Sequence, residues 1–247
     1  MKMRSLEDIS CLVTGGGRGI GRDSALALSR AGASVAVAAR SLGQVESVAA
    51  EIRAEGWRSL PLQVDVTAAD QVQEMVKRTV AEFGGLHVML CNAGGGLTSR
   101  PLVNDDPDEW QNTIALNLTS VFHCVQAAVP VMTEQGGGKS LVMGSGTGHV
   151  PTPGGSAYSV AKAGVAQLVR VLAQEVWRHG IDVNEIVPGP VATELTKDRF
   201  TLGEAPAVSK MERVKGPEEV ADLVLWLATR PADGPTGQTF SLARRAL

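Results

Sequence analysis

The chain has 247 residues, of which 44% are hydrophobic and 20% are charged, and its formal net charge at pH 7 is −3. This length and composition describe a folded globular protein with a buried core, and they exclude a disordered chain. The weak negative charge, the scattered basic residues and the aromatic content of 4% argue against a surface that binds nucleic acid or membranes.

The N-terminus and the cysteines predict a cytoplasmic protein. Residues 1–10 are charged and lack the apolar segment of a signal peptide, and no run of about eighteen apolar residues predicts a transmembrane helix. The three cysteines, Cys11, Cys91 and Cys124, are far apart in apolar surroundings, which predicts reduced, buried thiols. No metal site is predicted, because the histidines share no ligand spacing with the cysteines.

A strand, a glycine-rich turn and a helix are predicted at the start of the chain. Residues 9–13 are apolar, residues 25–28 begin a helical pattern, and between them the chain reads Thr14-Gly15-Gly16-Gly17-Arg18-Gly19-Ile20-Gly21. Glycines let the backbone approach a pyrophosphate, and a helix N-terminus offers it free N–H groups. Glycine-rich turns also occur as plain loops, but this order of elements is the one that a dinucleotide-binding turn requires.

The second predicted strand, residues 33–39, runs directly into Arg40. In a dinucleotide-binding fold an acidic residue at this strand end would bind the ribose 2′-hydroxyl, whereas an arginine can pair with a 2′-phosphate. Arg40, with help from Arg18, therefore favours NADP(H) over NAD(H). The alternative is that Arg40 is simply a solvated residue at a strand end.

Two further strands are predicted to end in polar or small residues. The first, residues 58–64, is followed by Asp65 and Val66, where adenine can be contacted, although Asp65 or Thr67 is equally well placed to cap the next helix, residues 70–83. The second, residues 86–91, is followed by Asn92-Ala93-Gly94, whose small residues let a cofactor lie close. Asn92 would either hold neighbouring strand ends together or contact a ribose.

A long helix, residues 108–132, is predicted next, and it contains Asn117, a poor helix former unless its side chain has a task. The structural alternative for Asn117 is a kink or a helix–helix hydrogen bond. Pro130 is predicted to bend this helix or to lie near its end. A fifth strand, residues 140–143, places Ser145 just beyond a strand carboxyl end, where open α/β sheets bind ligands.

Tyr158 and Lys162 are four residues apart, so on a helix they project from one face. A phenol, with an ordinary pKa of about 10, becomes a useful acid or base when a nearby ammonium favours the phenolate. Ser145 could then hold a substrate oxygen while Tyr158 gives or takes its proton. The alternative is a tyrosine and a lysine on an ordinary amphipathic helix.

Taken in this order, the Thr14–Gly21 turn, Asn92-Ala93-Gly94, Asn117, Ser145 and Tyr158-x-x-x-Lys162 closely resemble the short-chain dehydrogenase/reductase family. The resemblance covers about residues 11–239 and includes Pro188-Gly189 and Thr193 after a sixth predicted strand, residues 182–187. It implies one doubly wound, Rossmann-type α/β domain with a mostly parallel, seven-stranded sheet and helices on both faces. The alternation of predicted strands and helices supports the same fold independently.

The resemblance also implies the roles of individual residues. Tyr158 would be the general acid in reduction and the base in oxidation, Lys162 would lower its pKa, and Ser145 would bind the substrate oxygen. Asn117 would hold a water that links Lys162 to solvent. The cofactor-binding positions that it implies are Thr14, Gly15, Gly17, Arg18, Gly19, Ile20, Gly21, Arg40, Asp65, Val66, Asn92, Ala93, Gly94, Tyr158, Lys162, Pro188, Gly189, Val191 and Thr193.

The function that these features predict is an NADPH-dependent reduction of a ketone, similar to that of bacterial 3-oxoacyl-acyl-carrier-protein reductases. An NAD-linked sugar, polyol or cyclic alcohol dehydrogenase is the alternative, and a cofactor-sensing regulator without turnover is a remote one. Residues 194–215 are predicted to form the substrate lid, and a homotetramer or homodimer is expected. Two departures from the family pattern are the C-terminal residues 241–247 and Gly144, where a polar residue is common.

Overall fold

The computed structural model describes residues 5–96, 99–206 and 210–247. Within these ranges seven strands form one sheet in the order β3-β2-β1-β4-β5-β6-β7, and every pair of neighbours is parallel. The strands are β1 (Ser10–Thr14), β2 (Ser34–Ala39), β3 (Ser59–Gln63), β4 (Val88–Cys91), β5 (Gly138–Met143), β6 (Ile181–Val187) and β7 (Thr239–Ser241). The predicted doubly wound fold is confirmed, with a sheet that is wholly rather than mostly parallel.

Helices cover both faces of the sheet, as parallel strands joined by crossovers require. They are α1 (Gly19–Arg30), α2 (Leu42–Ala54), α3 (Ala69–Phe83), α4 (Pro107–Ile114), α5 (Ser120–Glu134), α6 (Ser156–Val176) and α7 (Pro217–Ala228). One apolar cluster packs α1, α2 and α7 on one face, and a second packs α3, α5 and α6 on the other. Strands β1, β4 and β6 are buried throughout because they lie between these layers.

The long helix predicted for residues 108–132 is interrupted. A π-helical segment, Ala115–Thr119, separates α4 from α5 and contains Asn117. Such single-turn π segments often occur at functional sites. Pro130 lies inside α5, four residues before the helix ends at Glu134, so it is near the end of the helix as predicted. The combined stretch Pro107–Glu134 is long and apolar enough to cross a membrane by length and composition, as the core helix of a folded protein can also be.

Of the roles predicted for Asp65 and Thr67, capping of the third helix is wrong. Helix α3 begins at Ala69, and its N-cap residue Ala68 makes no side-chain cap hydrogen bond. Asp65 instead closes a turn before the helix, where its Oδ1 accepts from the Thr67 N–H at 2.9 Å and from the Thr67 hydroxyl at 2.8 Å. The local bond to Thr67 therefore competes with capping and leaves Asp65 at the carboxyl end of the sheet.

Because all strands are parallel, their carboxyl ends share one edge of the sheet. The strand order reverses between β1 and β4, and the crevice at such a reversal is where open α/β sheets bind ligands. The loops after β1, β4, β5 and β6 all meet at this edge.

Candidate active site

The glycine-rich turn between β1 and α1 has the form of a phosphate-binding cradle. Gly15 and Gly19 have φ values of +63° and +53°, a left-handed region that other residues avoid. A Cβ on Gly21 would lie 2.3 Å from the Gly15 carbonyl oxygen, so no larger residue fits there. Arg18, the N-cap of α1, makes no side-chain cap hydrogen bond, so the first N–H groups of the helix remain available to an anion. These residues fit a dinucleotide pyrophosphate.

The loop after β4 is fastened to this turn by Asn92. Its Nδ2 donates to the carbonyl oxygens of Thr14 at 3.0 Å and Gly15 at 3.2 Å. In return, the Thr14 hydroxyl accepts from the backbone N–H groups of Asn92 at 3.0 Å and Ala93 at 3.2 Å. Of the two roles predicted for Asn92, the structure shows that it holds neighbouring strand ends together.

Arg40 and Asp65 flank the next part of the same edge. Arg40 is exposed, and its guanidinium makes no hydrogen bond with the described residues. The pKa of Asp65 is lowered, mainly by the Thr67 backbone hydrogen bond and to a smaller extent by the charge of Arg40. Arg40 therefore lies near Asp65, while Val66 is buried beside them. A cation and a carboxylate at the ends of β2 and β3 are suitably placed for an adenosine moiety.

Ser145, Tyr158 and Lys162 converge beyond the carboxyl end of β5. The Ser145 hydroxyl is close enough to the Tyr158 phenol to lower its pKa, and its Oγ lies 3.0 Å from the Thr147 hydroxyl. The Lys162 ammonium nitrogen lies 5.6 Å from the Tyr158 ring centroid. Lys162 is buried and its Nζ donates to the Met143 carbonyl oxygen at 2.7 Å. The three side chains predicted to carry the chemistry are thus brought together by a loop, residues 146–155, and by the first turns of α6.

Burial is the main influence on the pKa values of Lys162 and Tyr158. It lowers the pKa of Lys162 from 10.5 to about 8, against opposing contributions from the charges of Glu185 and Cys91. Burial also raises the pKa of Tyr158, and the Ser145 side chain offsets only part of that rise. This direction is opposite to the predicted one, in which Lys162 lowers the Tyr158 pKa, because burial is the largest influence on the phenol.

Asn117 has a definite structural task. Its buried side chain accepts from the Gly95 N–H at 3.1 Å and donates to the carbonyl oxygens of Gly95 at 2.7 Å and Thr113 at 2.9 Å. A Cβ on Gly94 would lie 2.8 Å from the Asn117 Oδ1 and 3.7 Å from the Lys162 Nζ. Asn117 therefore fixes the loop after β4 directly beside Lys162, and the water-mediated link to solvent stays a prediction.

The loop after β6 reaches back to the glycine turn. Gly189 has a φ of +69°, and Val191 is buried in a parallel bridge with Lys215. A Cβ on Gly19 would lie 3.3 Å from the Thr193 Cγ2, so Thr193 stands over the start of α1. Thr193 thus lies close to the glycine turn, and contact of Pro188–Val191 and Thr193 with the nicotinamide stays a prediction. Part of the predicted lid, residues 207–209, lies outside the described residues.

Glu185 and His149 belong to this region and were not predicted from the sequence. Glu185, in the middle of β6, is fully buried, and both of its carboxylate oxygens lie within 3.1 Å of the His149 Nε2. The Thr239 hydroxyl donates to Glu185 at 2.7 Å. The signal in the sequence was a glutamate in a predicted buried strand, although Asp182 and Asn184 in the same strand made it inconspicuous.

Comparisons with known proteins identify the family to which the chain is similar. Residues 10–202 match the sequence model of the family described as short chain dehydrogenase. A 3-oxoacyl-(acyl-carrier-protein) reductase from Synechocystis is 38% identical over 97% of both chains, and the short chain dehydrogenase/reductase astE from Aspergillus oryzae is 39% identical over 96% of this chain and 94% of that protein.

Solved structures agree with these relatives. A short-chain type dehydrogenase/reductase from Mycobacterium marinum superposes with a TM-score of 0.90 at 35% identity, covering 98% of this chain and 96% of that one. A 7α-hydroxysteroid dehydrogenase, solved with NADH and 7-oxo glycochenodeoxycholic acid, superposes with a TM-score of 0.89 at 27% identity, covering 97% and 94%. The fold is therefore that of a Rossmann-type oxidoreductase. The chain belongs to the short-chain dehydrogenase/reductase family and is an enzyme of that family.

Proposed function

We propose that this protein is an NADPH-dependent reductase that converts the ketone of a 3-oxoacyl thioester into a secondary alcohol. The observation that carries the proposal is the convergence of Ser145, Tyr158 and Lys162 at the edge of the sheet where the dinucleotide cradle lies. The relatives named as 3-oxoacyl-(acyl-carrier-protein) reductases support the substrate class.

Tyr158 is the proposed general acid. Because burial raises its pKa, the phenol is neutral at pH 7 and has a proton to give to the forming alkoxide. The Ser145 side chain, which is close enough to the phenol to lower its pKa, would hold the substrate carbonyl oxygen within reach of that proton. The Lys162 ammonium nitrogen lies 5.6 Å from the ring centroid, and its positive charge would stabilise the phenolate that remains after the proton has left.

The residues around the site would hold a nicotinamide dinucleotide, which supplies the hydride. The N–H groups at the start of α1 would bind the pyrophosphate, and Thr193 and the backbone of Pro188–Val191 would orient the nicotinamide end. The Asn92 and Asn117 hydrogen bonds keep the loop after β4 fixed, so the cofactor-facing backbone need not rearrange when it binds.

Arg40 is the proposed basis of a preference for NADPH. Its guanidinium, exposed and without a hydrogen-bonding partner among the described residues, can pair with a 2′-phosphate, and Arg18 is exposed nearby in the glycine turn. Calorimetric titration should show NADPH binding at least about tenfold more tightly than NADH, as one charge-assisted contact would give. Arg40→Ala should abolish that preference, whereas Arg30→Ala, at the opposite end of α1, should retain it. NADH binding as tight as NADPH in the unaltered protein would refute the proposal.

A second candidate substrate class is a cyclic alcohol oxidised with NAD. It is favoured by the solved 7α-hydroxysteroid dehydrogenase, whose structure holds NADH and a cyclic ketone on the same fold. Steady-state rates with acetoacetyl thioesters and with cyclic alcohols, each with both cofactors, separate the two classes. Tyr158→Phe should abolish turnover and preserve cofactor binding in either case. Unchanged turnover in Tyr158→Phe would refute the proposed mechanism, and no turnover by the unaltered protein would favour a cofactor-sensing regulator.

The assembly and location are proposed on separate grounds. Exposed apolar side chains on α5 and α6, namely Phe122, Val160 and Val171, support a homodimer or homotetramer formed through these helices. The three free, buried cysteines are those of a cytoplasmic protein. Light scattering during gel filtration should give a mass that is two or four times that of the chain, and a monomer would contradict the proposed assembly.

A further inference from the structure

A buried carboxylate lies beneath the loop that carries Ser145. Glu185 is the one acidic residue in the second half of β6, and none of its surface is exposed. Its oxygens accept from the His149 Nε2–H at 3.1 and 3.0 Å and from the Thr239 hydroxyl at 2.7 Å. Burying a carboxylate is costly unless such donors satisfy it, so its presence next to the active site requires an explanation.

The position of Glu185 explains the glycine that precedes Ser145. A Cβ added to Gly144 would lie 2.0 Å from the Glu185 Oε1 and 2.6 Å from two of its carbons. The carboxylate thus fills the space that a side chain at position 144 would need. The polar group beside Ser145 comes here from the neighbouring strand instead of from residue 144 itself.

We propose that Glu185 and His149 are positioning residues of the active site, a buried carboxylate–imidazole pair that occupies the side-chain space of position 144 and holds the Ser145 loop against the sheet. His149 belongs to that loop, four residues after Ser145, so its bond to Glu185 fixes the loop from below. The catalytic part of this inference rests on the proposed function; the packing part does not.

The same carboxylate acts on Lys162. Burial lowers the pKa of Lys162 to about 8, and the negative charge of Glu185 is the largest influence that opposes this fall. The other titratable groups around Lys162 are Cys91 at the end of β4 and Tyr158 on α6, while His149 faces Glu185 from the loop. Glu185 thereby keeps more of Lys162 in the ammonium form at neutral pH.

A double-mutant cycle on thermal stability tests the packing part without any assay of activity. Gly144→Ser and Glu185→Ala should each lower the melting temperature, the first by a steric clash and the second by leaving His149 and Thr239 without their acceptor. The double variant should melt several degrees higher than the sum of the two losses predicts, because the serine then fills the vacated space. If Gly144→Ser does not fold, folding of the double variant gives the same answer. Additive losses would overturn the inference.

The pH dependence of ketone reduction tests the link to Lys162. Glu185→Gln keeps the size of the side chain and removes its charge, so the decline of kcat with rising pH should move to lower pH by about one unit. The KM for NADPH should stay within about twofold, because the cofactor cradle is untouched. Asp182→Asn is the control: it removes another buried carboxylate of β6, at the amino end of the strand beside Lys139, and the pH at which kcat declines should not change.

The outcomes are distinguishable from failure of the proposed function. A decline that does not move in Glu185→Gln overturns the link to Lys162, whatever the overall rate. Unchanged turnover in Tyr158→Phe would remove the proposed mechanism, yet the stability cycle between positions 144 and 185 would still decide the packing part.

Discussion

Replacing Lys162 by methionine should change the pH dependence of stability in a way that can be calculated. Methionine has a similar length and no charge, so it fills the same buried space without an ammonium group. The pKa of Lys162 in the folded protein is about 8, against an ordinary value of 10.5. Between these values the unfolded chain keeps the proton that the folded chain releases, so the stability of the unaltered protein must rise with pH in this window.

The size of the effect follows from the two pKa values. Between pH 7 and pH 10 the free energy of unfolding of the unaltered protein should therefore rise by about 2.5 kcal/mol more than that of Lys162→Met. Loss of the hydrogen bond to the Met143 carbonyl oxygen also costs stability, but that term is independent of pH and cancels in the difference. Cysteine and tyrosine ionisation cancel in the same way, because both proteins contain those groups.

Urea unfolding at a fixed protein concentration and at four pH values measures this difference. Lys77→Met is the matched control, because the Lys77 side chain is 80% exposed on α3, so the same substitution there changes no buried group. The difference in free energy of unfolding between Lys77→Met and the unaltered protein should not change with pH. A difference for Lys162→Met that varies by less than about 0.5 kcal/mol would show that burial does not depress the Lys162 pKa, and the reasoning about the site would fail with it.

Three further outcomes follow from close contacts and burial. Gly21→Ala should lower the free energy of unfolding, measured by urea titration, by about 1–3 kcal/mol and weaken dinucleotide binding, because the new methyl group would lie 2.3 Å from the Gly15 oxygen. The control is Gly43→Ala, whose methyl group would meet nothing within 4 Å and should stabilise the protein by about 0.5–1 kcal/mol. Gly94→Ala should lower the melting temperature, because the new methyl group would lie 2.8 Å from the Asn117 Oδ1 and displace that side chain. An unchanged melting temperature would contradict the stabilising role of the Asn117 hydrogen bonds to Gly95. All three thiols are free and buried, so a thiol reagent at pH 8 should modify them only after unfolding; rapid reaction of the native protein would contradict their burial.

The parts of the structure that the sequence predicts well are those set by local chemistry. The glycine turn was predictable because Gly15 and Gly21 admit no side chain, a requirement written in the residue types themselves. The seven-stranded sheet was predictable because short apolar runs alternate with amphipathic helices. Ser145, Tyr158 and Lys162 converge as expected because a strand end and the start of a helix place them at the same edge.

The parts that sequence reasoning missed depend on contacts between distant segments. Nothing near Glu185 in the chain indicates that its partners are His149 and Thr239, which come from a loop and from the last strand. The direction of the Tyr158 pKa shift was mispredicted for a similar reason, because the depth of burial depends on the whole fold and not on the spacing of two residues. The sequence alone is compatible with Asp65 as a helix cap, whereas in the structure its carboxylate accepts from the Thr67 N–H.

The two pKa shifts at the active site together bear on the proposed direction of the reaction. Burial favours the uncharged form of both groups, so it raises the pKa of Tyr158 and lowers that of Lys162. As the pH rises, Lys162 therefore gives up its proton before Tyr158 does. At neutral pH the site holds a neutral phenol, which is the form needed to donate a proton to a reduced carbonyl, whereas alcohol oxidation would need the phenolate. The negative charge of Glu185 keeps the ammonium beside that phenol, so that the phenolate left by proton transfer meets a positive charge. The arrangement of buried charge at this edge thus fits the proposed role of Tyr158 as the proton donor in reduction.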